Sequence, residues 1–93
     1  MVFKNPELKE DGFYHYNGKK IEIGNKTSQA RLGDIILFER HIGILSKDNI
    51  PVGYLDKNDL VIHTLFDYPK ETPISETYSP NFSIVRVKEK FKN

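Results

Sequence analysis

Short apolar and aromatic runs separated by Gly, Asn, Asp and Pro recur along this chain, and no stretch repeats apolar positions at helical spacing. The pattern predicts a mostly β protein. Residues 13–16 and 19–23 flank Asn17-Gly18, a dipeptide at ease with positive φ and suited to the two-residue turn of a hairpin. Ile21 and Ile23 alternate with Lys20 and Glu22, which gives the hairpin a core face and a water face. Residues 24–32 are polar and predict a connection, with at most a helical turn after Thr27 or Ser28. Gly33-Asp34 then opens Ile35-Ile36-Leu37-Phe38-Glu39, an apolar run too short for a typical helix and suited to a strand buried on both faces. After a reversal at Glu39-Arg40, the run His41-Ile42-Gly43-Ile44-Leu45-Ser46 predicts an antiparallel partner strand.

Two further strands are expected at 60–66 and 82–87, joined by polar loops over 47–59 and 67–80. The expected fold is therefore a small antiparallel β-barrel or curved sheet of about five to six strands with little helix. Ile35, Leu37, Ile42, Ile44, Ile62 and Val85 are its expected core. Residues 1–12 and 88–93 are charge-rich and unpatterned, so frayed ends around an ordered core of 12–87 are expected within a single domain, 1–93.

Composition narrows the function classes. A chain of 93 residues buries only roughly two thirds of its unfolded surface, too little for a second core. Fourteen Lys plus Arg against thirteen Asp plus Glu leave a formal charge of +1, so no net positive field argues for nucleic acid. No apolar stretch approaches the roughly 18 residues that cross a bilayer, and the N-terminus lacks the apolar core of a signal peptide. A cytoplasmic chain without a membrane partner is expected. The chain has no Cys, which removes disulfides, thiolate metal sites and a thiol nucleophile together.

Candidate chemistry concentrates in the histidines. His41, Gly43 and Leu45 share one face of their strand, and Val61, His63 and Leu65 share one face of theirs, because side chains alternate. Pairing Gly43 opposite His63 makes the two imidazoles diagonal neighbours, close enough for a hydrogen bond. In that arrangement His41 would be a general base, His63 the group that orients it, and Gly43 an opening that lets a ligand approach.

The order Gly33-Asp34-Ile35-Ile36-Leu37-Phe38, His41-Ile42-Gly43-Ile44-Leu45, Val61-Ile62-His63-Thr64 resembles the C-terminal half of the papain-like NlpC/P60 superfamily of cell-wall hydrolases, including its CHAP and DUF1287-type relatives. The resemblance covers about residues 31–66. It implies a β-barrel half in which His41 matches the catalytic base and His63 the orienting residue. The family's nucleophile is a Cys on a preceding helix, and this chain has neither the Cys nor a helix-like segment before Gly33. Ser28 is a poor substitute, since no base or oxyanion hole announces itself near it.

A metal site from His41, His63 and either Asp34 or Asp67 fits no zinc spacing, so neither metal nor cofactor is expected. Asp34, Gly43, Tyr54 and Tyr68 are the expected binding residues around the histidines. The function that follows is a non-catalytic interaction module holding a peptide-like ligand or partner protein. Its alternatives are half of a split peptidase or amidase whose thiol comes from another chain, and an unrelated SH3-like barrel.

Overall fold

The computed structural model describes residues 2–24, 28–65, 68–77 and 81–86. Its chain order is β1 (Val2–Lys4), β2 (Glu7–Leu8), β3 (Tyr14–Tyr16), β4 (Lys19–Lys20), β5 (Ile35–Phe38), β6 (His41–Lys47), β7 (Leu60–Leu65), β8 (Tyr68–Pro73), a 3-10 turn (Ile74–Glu76) and β9 (Phe82–Val85). The protein is mostly β. Six strands form one antiparallel sheet in the order β1-β9-β5-β6-β7-β8, and β2-β3-β4 form a second. The large sheet is open, with β1 and β8 at its edges.

Turn chemistry sets the local elements. Asn17 and Gly18 both take positive φ, 53° and 80°, and the hairpin closes with Tyr16 opposite Lys19. Glu39-Arg40 likewise reverses the chain in two residues, leaving Phe38 opposite His41. Gly33 adopts φ 95° in the turn that opens β5, a conformation costly for any residue with a Cβ. That turn is tied to the next strand, since Gly33 N–H donates to the Leu45 carbonyl and Leu45 N–H to the Asp34 carbonyl.

The core lies between the two sheets. Ile36, Phe38, Leu45, Val61, Phe82 and Ile84 project from the large sheet onto Tyr14, Ile21 and Ile23 of the small-sheet region. Tyr14 and Phe38 each meet Phe82 edge to face, with ring centroids 5.3 and 5.8 Å away.

This inward face corrects the expected core. Ile42, Ile44, Leu37 and Ile62 are exposed and Ile35 and Val85 half-buried, because the small sheet covers only the opposite parity. The expected strand over 35–39 therefore ends at Phe38 and is buried on one face, not on both. Three segments expected to be irregular also carry structure. Near the N-terminus, β1 pairs with β9 and β2 with β3. The segment 67–80 contains β8, whose six residues pair along β7, and the turn that buries Ile74. Within 47–59, Leu55 is fully buried: its N–H donates to the Ile21 carbonyl and its carbonyl accepts from Tyr14 N–H. The expected frayed C-terminal end lies outside the described residues.

Candidate functional site

β6 and β7 pair with Gly43 opposite His63, the register that sets His41 diagonal to His63 on the inward face. The rings meet directly. His41 Nε2 lies 2.8 Å from His63 Nδ1, with the ring planes 84° apart, and His63 Nε2 lies 2.9 Å from Thr72 Oγ1 on β8. On its other side His41 is flanked by Phe38, ring centroids 6.0 Å apart. His63 is buried, whereas His41 keeps part of its surface in solvent.

Proton positions follow from the geometry. Neutral His63 carries one N–H and can donate at only one nitrogen. When that proton sits on Nε2, facing the Thr72 hydroxyl, His63 Nδ1 accepts from His41 Nε2–H and the basic lone pair of His41 is at Nδ1. The reverse tautomer has His63 Nδ1–H donating to His41 and Thr72 O–H donating to His63 Nε2. Burial lowers the His63 pKa below its ordinary value of 6.5, and the like charges of His41 and Lys70 lower it further. His63 is thus the neutral, orienting member and His41 the more accessible one.

An NMR titration of the ring protons checks this assignment. His63 should titrate below 6.5, and His41→Ala, which removes a like charge and opens the site, should move its midpoint upward. An unchanged midpoint would separate the two rings energetically.

Gly43 plays a different part from the one expected. A Cβ there would stand 2.5 Å from Val61 Cγ1 and 3.1 Å from the Ile62 carbonyl oxygen, so the glycine permits close approach of β7 and does not open the face to solvent. Asp34 is also absorbed by the fold. Its carboxylate accepts from Arg86 Nε and Nη2, both at 3.1 Å, and from Arg31 N–H at 3.0 Å, clamping the turn before β5 onto the residue that follows β9. Tyr54 lies against the small sheet, with its ring 6.1 Å from Phe13 and the Lys20 ammonium over both rings. Tyr68 is an exposed residue of the edge strand β8. Ser28 stands against the Gly24 backbone, in the crossing from the small sheet to β5. Of the expected residues, only His41, His63 and Gly43 converge. Asp67 lies outside the described residues. No group of three or more His, Cys, Asp or Glu among the described residues is placed to hold a metal ion.

Two features beside the histidines escaped sequence reasoning. Thr72 sits in a segment with no strand-like apolar pattern, and its role appears only once β8 is laid along β7. The second is a cleft of about 410 Å³ where β5 ends and β9 begins, with Phe38 and Phe82 among its walls and Asn5, Glu39, Asn81 and Ser83 supplying its polar groups. Phe38 also flanks His41, although neither His41 nor His63 is among the residues that line the cleft.

A separate acidic group lies in the segment before β7. Asn49 N–H and Asp56 N–H donate to the two oxygens of Asp59, Gly53 N–H donates to Asp48, and Asn58 N–H donates to Asp56. Asp48 Oδ1 and Asp56 Oδ2 are buried without a hydrogen-bond partner among the described residues.

Comparison of the chain with protein-family models, with curated proteins and with solved structures finds no match. No helix among the described residues is long and apolar enough to cross a membrane.

Proposed function

We propose that this chain is a non-catalytic interaction module related to the barrel half of NlpC/P60-type hydrolases, and that it holds a peptide-like segment in the cleft lined by Phe38 and Phe82. The supporting observation is the His41–His63–Thr72 relay, whose flanking residue Phe38 also lines a cleft together with Phe82. Apolar walls take a side chain, while the exposed amide of Asn5 offers both a donor and an acceptor to a peptide backbone. The chain has no thiol to be activated by the relay, so binding is the activity left to it.

A muropeptide added to the isotope-labelled chain should shift the amide signals of Phe38, His41, Asn81 and Phe82 without being cleaved. Signals that stay in place at millimolar peptide would overturn the binding reading, and cleavage that disappears in His41→Ala would overturn its non-catalytic part.

The intact relay also favours a second reading, in which another chain brings the thiol to His41 and completes a peptidase or amidase. A base held in one orientation by a neutral, buried partner is the half of such a site that this chain can supply.

A further inference from the structure

The small sheet covers one face of the large sheet, and the other face carries an apolar strip across its middle strands. Cross-strand pairing places Val85, Ile35, Ile44 and Ile62 in one row from β9 to β7, with Leu37 and Ile42 side by side in the next. Ile42 is 55% exposed, Ile44 48%, Leu37 40% and Ile62 40%. Single exposed apolar side chains are ordinary, whereas a contiguous strip across four strands marks an interaction surface.

Opposite charges stand at its two ends. Lys4 on β1 pairs with Ser83, and Glu71 on β8 pairs with Ile62, so both project from this same face and both are exposed. Pro69 and Pro73 interrupt the donors of the β8 edge, which disfavours strand addition along that edge.

We propose that a second copy of this chain covers the strip, the two large sheets stacking face to face about a two-fold axis that runs along the strands. That axis lays the β1 edge of one copy over the β8 edge of the other, bringing Lys4 toward Glu71 at both ends of the interface. A two-fold axis across the strands would instead stack Glu71 on Glu71 and Lys4 on Lys4. With a formal charge of +1, each copy repels the other only weakly. Six strands spaced about 4.8 Å apart, each contributing about four residues of about 3.3 Å, give a flat footprint of roughly 380 Å². That is under half of the roughly 800 Å² per partner in a standard interface, so the dimer is weak and concentration-dependent.

Sedimentation equilibrium of the full chain from about 10 μM to about 1 mM tests it. The expected result is monomer at the dilute end and dimer at the concentrated end. Ile44→Thr and Ile62→Thr, which keep a β-branched side chain, should move the transition to at least about tenfold higher concentration with an unchanged circular dichroism spectrum. Lys4→Glu and Glu71→Lys should each weaken the dimer, and the two together should restore it. The exposed charge swap keeps the test valid if the isoleucine variants fold poorly. A chain that stays monomeric at about 1 mM overturns the proposal, also if it binds phospholipid vesicles or another protein through this face. A dimer indifferent to both Thr substitutions, or a charge swap that does not restore association, overturns it equally.

Discussion

Leu45→Ala should lower the unfolding free energy by about 2–5 kcal/mol, while Ile44→Ala, its neighbour on the same strand, should cost no more than about 1 kcal/mol in dilute solution. Leu45 is 0% exposed, Ile44 48%. Truncating Leu45 removes apolar surface from the contact between the sheets and leaves a cavity that the flanking Ile36 and Val61 can fill only in part. Ile44 points away from that contact, so its truncation loses β propensity and little packing. For so small a domain the first cost is a large share of the whole stability. Urea unfolding of both variants at low protein concentration decides the matter. Equal losses, or a larger loss at Ile44, would mean that the core lies on the other face of the sheet.

That choice of face is where the sequence was least legible. Residues 35–38 are apolar on both parities, so their run carries no period to choose between them. On β6 and β7 the pattern does not decide either, because Ile42, Ile44 and Ile62 share one parity while Leu45 and Val61 share the other with two histidines and a glycine. The parity that carries the histidines is nonetheless the buried one. His41 and His63 satisfy each other, Thr72 satisfies the far nitrogen of His63, and Gly43 lets β7 come close. Pattern reasoning treats a histidine as costly to bury, and a pairing across strands removes that cost.

Elements fixed by adjacent residues were legible. The Asn17-Gly18 turn and the reversal at Glu39-Arg40 follow from local chemistry, and side-chain alternation put His41 and Gly43 on one face, while the register that sets Gly43 opposite His63 was a condition that the structure meets. Elements that exist only through distant partners were not. β1 is held by β9, at the opposite end of the chain, and Leu55 is buried by backbone bonds to Tyr14 and Ile21 on either side of the hairpin turn. For the site, the histidine pair was readable, and Thr72 and the Phe38–Phe82 cleft were not, since each needs a tertiary neighbour to acquire its role.

The buried acidic group should make this protein less stable as pH rises. Asp59 is 0% exposed, and burial pushes its carboxyl up from 3.8 to about 7, against the two backbone N–H groups that favour the anion and with the charges of Asp56 and Asp48 adding to the rise. Asp56 is raised too, chiefly by burial, and the nearby Tyr14 hydroxyl is pushed up to about 12 by burial and by both aspartates. Between 3.8 and about 7 the folded chain keeps a proton on Asp59 that the unfolded chain has released. Stability therefore falls through that window, and the full penalty is present above it. At about 1.4 kcal/mol per pH unit, the loss between pH 5 and 7.5 is on the order of 2–3 kcal/mol. His63 acts in the opposite sense, because a depressed histidine contributes stability above its unfolded value of 6.5 that is lost as pH falls. Comparison with Asp59→Asn cancels that term, since both proteins carry His63. The variant gives up one acceptor for a backbone N–H and starts about 1–3 kcal/mol lower, but its slope between pH 5 and 7.5 should be the shallower one. Urea melts of both proteins across this range should converge as pH rises. Parallel curves would mean that Asp59 is already ionised throughout.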